Sequence, residues 1–92
     1  MKAVRILDSL LKEIRSSLPE DRREIGECIA KVQTHIGHPH LHRGIGIRKL
    51  QDDYFEVRIG LKRRLIFENT SEALIFEFMG NHDEVRRFLK SH

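Results

Sequence analysis

The chain has 92 residues, 39% of them hydrophobic and 34% charged, with a formal net charge of +3 and a single cysteine. A chain of this length forms one domain, here residues 1–92, with a modest core and no room for a deep catalytic cavity, so any activity works from a shallow surface on a large partner. The sequence has no apolar run that could span a bilayer, no signal-peptide segment and no possible internal disulfide, and we therefore expect a cytoplasmic protein without membrane contacts.

The N-terminal part of the chain predicts a strand followed by two helices. Residues 2–7 form the strand, and Asp8 or Ser9 is the expected N-cap of the first helix. Pro19 ends that helix and suits the first turn of the second, which is expected to end near Gly37. The two helices form a hairpin, and its apolar stripes consist of Leu10, Leu11, Ile14, Leu18, Ile25, Cys28, Ile29, Val32 and Ile36. Cys28 is therefore expected to be a core residue, not a nucleophile.

Three strands and a last helix are predicted after a loop at residues 37–46. The strands lie at residues 54–59, 64–68 and 72–79, and Asp83 is the expected cap of the final helix. Alternation places one apolar set on a common face: Phe55, Val57, Ile59, Leu65, Phe67, Leu74, Phe76 and Phe78. The predicted class is α+β, in the order β-α-α-β-β-β-α, with the helical hairpin on one face of a small, mainly antiparallel, four-stranded sheet.

The opposite face of the sheet is expected to stay open and to carry the function. Glu56, Arg58 and Arg64 lie on it, and His82 follows its last strand. Such groups suit RNA cleavage, in which the 2′-oxygen attacks phosphorus, a base takes the hydroxyl proton, cations stabilise the phosphoryl oxygens and an acid protonates the leaving oxygen. The other interpretation, which the pattern alone favours, is a structural ladder of Glu and Arg across the strands.

Two further features of the sequence bear on binding. A basic run extends from Arg43 to Arg64 and includes Arg48 and Lys49, which indicates either a phosphate-binding patch or a solvated strand face. The second feature is a set of four histidines: His35, His38, His40 and His42. Because no cysteine or acidic cluster completes a metal site nearby, a solvated loop is the better interpretation. We expect no metal or other cofactor, and His42 is a candidate for contact with RNA.

Three stretches of the chain together resemble the RelE/ParE toxin superfamily. They are KAVRILDSLLKEIRSSLPEDRREIGECI, IRKLQDDYFEVRIGLKRRLIFE and LIFEFMGNHDEVRRFLK, which cover nearly the whole chain in the family's order. The resemblance implies a toxin that enters the ribosomal A site and cleaves messenger RNA. It also implies an antitoxin wrapped around the toxin, with operator DNA bound only through the complex of the two proteins.

The resemblance also implies roles for individual residues. Arg64 matches the arginine that contacts the scissile phosphate, and Arg58 matches a basic residue on the preceding strand. His82 lies where some members have a histidine that acts as general acid, and Arg86 falls near the position of a catalytic tyrosine. The chain departs from the family at Glu56, where the best-known members have lysine, and in lacking the terminal tyrosine.

Two other functions remain open at this point. One is inhibition of DNA gyrase, as in ParE, because this fold serves both activities. The other is a catalytically degenerate, toxin-like protein that only binds a partner. An exposed antitoxin-binding surface is expected on the open face, where alternation places Ile66, Ile75 and Met79.

Overall fold

The computed structural model describes residues 1–91, so His92, the last residue of the predicted domain, lies outside it. Within this part of the chain the helices are α1 (Asp8–Arg15), α2 (Pro19–His35), α3 (Pro39–Ile45) and α4 (His82–Lys90). The strands are β1 (Ala3–Ile6), β2 (Ile47–Lys49), β3 (Tyr54–Ile59), β4 (Arg63–Asn69) and β5 (Ala73–Gly80). Among the described residues, no helix is both long and apolar enough to cross a membrane.

The strands form one sheet in the order β1-β5-β4-β3-β2. Each neighbouring pair is antiparallel except β1 and β5, which are parallel. The predicted class and the mainly antiparallel sheet are therefore confirmed, but the count of four strands is wrong. The additional strand is β2, whose three residues pair with residues 55–57. Three residues are too few for alternation to be visible in a sequence, and the pairing with β3 supplies the hydrogen bonds.

The predicted loop at residues 37–46 contains a short helix, α3. Pro39 occupies its first turn, and Gly46 follows it in the left-handed conformation with φ of 78°. A helix of seven residues gains little from hydrogen bonding alone, and α3 packs against both α2 and β2. The sequence does not predict α3 because its stability comes from this packing, not from an apolar stripe.

The core lies between the α1–α2 hairpin and one face of the sheet, as predicted. Leu10 of α1 and Ile25 and Val32 of α2 pack with the inward side chains of the strands. Full burial of one such side chain contributes about 1.5–3 kcal/mol. Cys28 packs against this cluster and its thiol donates to the carbonyl oxygen of Arg58. It is thus a packing residue of α2.

A bulge in β5 changes which side chains reach that core. Phe67 pairs with Phe76, but Ile66 pairs with Phe78, so Glu77 is an extra residue in β5. The bulge reverses the alternation beyond it. Phe78, predicted in the core, therefore lies on the opposite face, and Met79, predicted on the open face, packs in the core at 7% exposure.

The opposite face is only partly open, because α4 packs against β4 and β5. Ile66 is 0% exposed beneath it and Val85 is 3% exposed. Phe78 stacks on Phe88 with ring centroids 4.9 Å apart. The expectation that Ile66 and Met79 are exposed for an antitoxin is therefore wrong. Half of this face is a second, smaller core under α4.

Two predicted helix caps also differ in the structure. Asn81, not Asp83, caps α4: its side chain accepts from the backbone N–H of Glu84, whose carboxylate accepts in turn from the N–H of Asn81. At α1 the N-cap is Leu7, without a side-chain hydrogen bond, and the two candidate caps, Asp8 and Ser9, are the first two helical residues. Asp8 still lies favourably in the positive first turn of that helix.

Candidate functional site

The uncovered half of the second face forms an open cleft of about 560 Å³ between α3 and strands β2 to β4. Six of the predicted site residues line it: His42, Arg48, Lys49, Glu56, Arg58 and Arg64. Arg43 adds a fifth cationic side chain. Five cations against one carboxylate make this cleft a strongly cationic part of the surface.

The register of the strands brings the central charges together. Glu56 and Arg58 of β3 point to the same face because they are two residues apart. Arg58 lies directly opposite Arg64 of β4, and Glu56 lies directly opposite Arg48 of β2. Like charges directly opposite destabilise a sheet, whereas opposite charges stabilise it. The cleft therefore combines one unfavourable and one favourable cross-strand pair.

Glu56 connects two of the arginines in the cleft. Its Oε2 lies 3.2 Å from Nε of Arg64 and 3.5 Å from a terminal nitrogen of Arg48. The glutamate side chain is only 6% exposed, whereas that of Arg48 is 65% exposed. A buried carboxylate needs such partners, because an unpaired buried charge costs several kcal/mol, on the order of 3–5. The structural ladder that the sequence pattern favours is thus present at Glu56.

Gly46 determines where the side chain of Arg58 can lie. A Cβ atom at this position would lie 2.9 Å from Nε and 3.2 Å from Cβ of Arg58. The backbone N–H of Arg58 also donates to the carbonyl oxygen of Gly46 at 3.3 Å. With φ of 78°, the position favours glycine on conformational grounds as well. The sequence alone does not distinguish Gly46 from the other glycines, because its contact with Arg58 depends on the position of α3.

His42 reaches the cleft from α3. Its Nε2 lies 3.1 Å from the carbonyl oxygen of His35 at the end of α2. His38 and His40 instead contact each other edge to face, with ring centroids 6.2 Å apart. Among residues 1–91, no group of three or more His, Cys, Asp or Glu side chains is placed to hold a metal ion. The histidine-rich segment therefore places one imidazole, that of His42, at the cleft.

Two predicted site residues, His82 and Arg86, lie outside the cleft lining. His82 is the exposed first residue of α4 and follows Gly80 by two positions, and Gly80 pairs with Arg64. The chain therefore passes beside Arg64 just before it reaches His82, which places His82 on the rim. Arg86 lies one helical turn further on, beside Asp83, Arg87 and Lys90 on a separate surface.

Comparison with solved structures identifies the fold. A chain of the RelB–RelE antitoxin–toxin complex from Methanococcus jannaschii superposes with a TM-score of 0.64 and 16% identity, over 91% of this chain and 96% of that one. A chain of the YoeB–YefM complex from Staphylococcus aureus gives 0.62 and 15%, over 89% and 98%. YafQ from E. coli strain BL21(DE3) gives 0.57 and 16%, over 92% and 98%.

Comparisons of the amino-acid sequence, in contrast to those of the structure, find no match. Neither a protein-family model nor a protein of curated function matches the chain. The chain therefore has the RelE-like fold over nearly its full length, with only 15–16% of its residues identical to those of these structural neighbours.

Proposed function

We propose that this protein is the toxin of a type II toxin–antitoxin system and cleaves messenger RNA on the ribosome. The observation that carries the proposal is the pair of opposed arginines, Arg58 and Arg64, in an open cationic cleft. Two like charges directly opposite each other are unfavourable in a folded sheet. An RNA phosphate bound between the two arginines offsets that repulsion. Phosphate binding therefore explains why two arginines lie opposite each other.

The proposed reaction is attack of a 2′-oxygen on the adjacent phosphorus. Arg64 and Arg58 hold the phosphoryl oxygens, since the planar guanidinium meets two oxygens at once and keeps its charge. Arg48 and Lys49, at the edge of the sheet, are assigned to neighbouring phosphates, and Arg86 to RNA beyond the rim. His82 is assigned as the acid that protonates the leaving 5′-oxygen. Glu56 is assigned to holding the arginines in place.

The open shape of the cleft supports a large partner. The side chains of Arg48, Lys49 and Arg58 are exposed, and no lid among the described residues encloses the cleft. Groups held on an open surface need a second surface to exclude water and fix the substrate. We assign that role to the ribosome, in the cytoplasm.

The proposal includes an antitoxin that covers the toxin, with operator DNA bound only through the complex of the two proteins. Apolar side chains are available for such a partner on the helices and turns: Leu7, Leu18, Leu41 and Leu61 are 43%, 61%, 39% and 99% exposed. A helical antitoxin segment that also carries acidic residues would complement both these leucines and the cationic cleft.

The test is transcript mapping on programmed ribosomes with purified protein. The parental protein should produce new transcript ends, and Arg64→Ala should reduce the rate by a hundredfold or more, on the order of 3–4 kcal/mol of transition-state stabilisation. Arg63→Ala is the matched control, because Arg63 points to Glu24 and Asp21 of α2 instead of into the cleft.

Growth arrest on expression gives a second readout. Arg64→Ala should abolish the arrest while thermal unfolding remains cooperative. Absence of cleavage by the parental protein, or full cleavage by a folded Arg64→Ala variant, would contradict the proposal. Inhibition of gyrase supercoiling without transcript cleavage would instead support the activity of ParE.

A further inference from the structure

The reaction proposed above needs a group that accepts the proton of the 2′-hydroxyl. Glu56 has suitable chemistry, but its side chain is 6% exposed and its Oε2 is paired with both Arg48 and Arg64. A hydroxyl that reached Oε2 would have to displace an arginine, and the burial of the side chain limits access to the other carboxylate oxygen. The burial and the two ion pairs therefore suit a positioning residue better than a proton acceptor.

His42 has the opposite properties. It lines the same cleft as Arg58 and Arg64, is only partly buried, and belongs to no ion pair among the described residues. Histidine is also the side chain that exchanges protons most readily near neutral pH. It is therefore the group in the cleft with suitable chemistry and without a charged partner that must first be displaced.

The hydrogen bond to α2 determines which ring nitrogen carries the proton. Nε2 of His42 lies 3.1 Å from the carbonyl oxygen of His35, and a carbonyl oxygen can only accept. Nε2 is therefore the donor, and the neutral ring keeps its lone pair on Nδ1. The carbonyl belongs to the last residue of α2, where the helix dipole places partial negative charge, so the donor is held in a favourable field.

From this geometry we propose that His42 is the general base of the cleft, a role that rests on the function proposed above. Nδ1 of His42 takes the proton from the 2′-hydroxyl while the 2′-oxygen forms its bond to phosphorus. The bond from phosphorus to the 5′-oxygen breaks, and that oxygen receives a proton from His82. The products are a 2′,3′-cyclic phosphate and a 5′-hydroxyl, and the two histidines have exchanged protonation states.

The charged groups around His42 come from each element that borders the cleft. They are Arg43 of α3, His35 of α2, Arg48 and Lys49 of β2, Glu56 and Arg58 of β3, and Arg64 of β4. Among these, the carboxylate of Glu56 and the imidazole of His35 are the other groups that could accept a proton. The pH profile of a His42 variant must therefore be compared with those of variants at both positions.

The first test is His42→Gln, assayed by single-turnover cleavage on programmed ribosomes between about pH 5 and 8, where histidine titrates. Glutamine keeps an N–H donor for the carbonyl of His35 but cannot accept a proton. Cleavage should fall at least about 100-fold, and the rise in rate with pH should disappear. His40→Gln is the matched control on the same helix, because His40 is exposed and outside the cleft lining.

Chemical rescue separates catalysis from structure. In His42→Ala, added imidazole should restore part of the cleavage, and imidazoles of higher basicity should restore more of it, a trend that refilling a purely structural cavity does not produce. Glu56→Gln and His35→Gln should retain the rise in rate with pH, because neither residue accepts the proton.

The outcomes distinguish the two proposals. If the parental protein does not cleave, the proposed function fails and the role of His42 fails with it. If the parental protein cleaves and His42→Gln keeps its rate and pH profile, the role of His42 alone is overturned. The same conclusion follows if Glu56→Gln loses the rising limb of the profile and His42→Gln keeps it.

Discussion

Arg58 and Arg64 lie directly opposite each other on β3 and β4. Such a pair of like charges lowers the stability of a sheet. Glu56, diagonal to Arg64 and two residues from Arg58, offsets this repulsion through its ion pair with Arg64. Repulsion between the two arginines thus lowers the free energy of unfolding at the site where we propose that a phosphate binds. This loss of stability can be measured.

Arg58→Gln should stabilise the protein, because it removes one of the opposed charges and keeps most of the side-chain stem over Gly46. The expected gain in the free energy of unfolding is about 0.2–1 kcal/mol in low salt, and it should shrink as salt screens the repulsion. Urea unfolding at two salt concentrations measures it. Arg5→Gln on the edge strand β1 is the control and should stay within about ±0.5 kcal/mol. Unchanged or lower stability of Arg58→Gln in low salt would contradict the electrostatic explanation.

Gly46→Ala should destabilise the protein and weaken cleavage together. The new Cβ would lie 2.9 Å from Nε of Arg58, and φ of 78° is strained for alanine. The left-handed conformation alone costs about 1–2 kcal/mol. Gly44→Ala in α3 is the control: a Cβ there meets nothing within 4 Å, so it should stabilise the helix by roughly 0.5–1 kcal/mol. Thermal unfolding and the rate of RNA cleavage should be measured for both variants. Equal changes in Gly46→Ala and Gly44→Ala would argue against a specific contact between residue 46 and Arg58.

Cys28 should react slowly with thiol reagents in the folded protein. Burial raises the pKa of its thiol from 9.0 to about 11, with Lys31 lowering it and Glu24 raising it by smaller amounts. Because the folded pKa is the higher one, the stability that comes from the neutral thiol is complete below about pH 9 and is lost as the pH rises towards 11. Iodoacetamide labelling across this range should show a late rise for the folded protein and an earlier one in urea. Fast labelling of the folded protein at neutral pH would contradict the packing role.

His82→Gln should fold and still bind ribosomes but cleave at least about 100-fold more slowly. The exposed position at the start of α4 gives the side chain freedom to approach a leaving oxygen once RNA is bound. Single-turnover rates between about pH 6 and 8 measure the effect, because a general acid imposes a fall in rate with rising pH. Arg86→Gln is the comparison variant and should weaken RNA binding without changing the shape of that profile. A parental rate and profile for His82→Gln would remove His82 from the mechanism.

Several features of the protein follow from local sequence alone. The strand at residues 54–59 has the predicted bounds, and Pro19 separates the two helices of the hairpin as expected. Alternation over β3 also places Glu56 and Arg58 on one face, as observed. These features depend on the chemistry of neighbouring residues, on strict periods of two or 3.6, and on the fixed φ of proline. They are determined before the chain makes any distant contact.

Other features were decided only by tertiary contacts. The bulge at Glu77 exchanges the expected positions of Phe78 and Met79, because a period of two holds only while every residue has a partner on the adjacent strand. The packing of α4 over Ile66 closes half of a face that alternation predicts to be open. The bulge depends on the pairing of β5 with β4, and the burial of Ile66 depends on α4. Both contacts join segments that are distant in sequence.

The cleft also combines features that the local sequence determines with features that depend on tertiary contacts. Its charges are visible in the sequence, but the paired state of Glu56 and the place of His42 are not. Glu56 meets Arg48 and Arg64 only when β2, β3 and β4 take their register. His42 reaches the cleft only because α3, too short to be stable alone, packs against α2 and β2. The sequence by itself determined which chemical groups the protein carries, and the tertiary structure decided which of them are free to act.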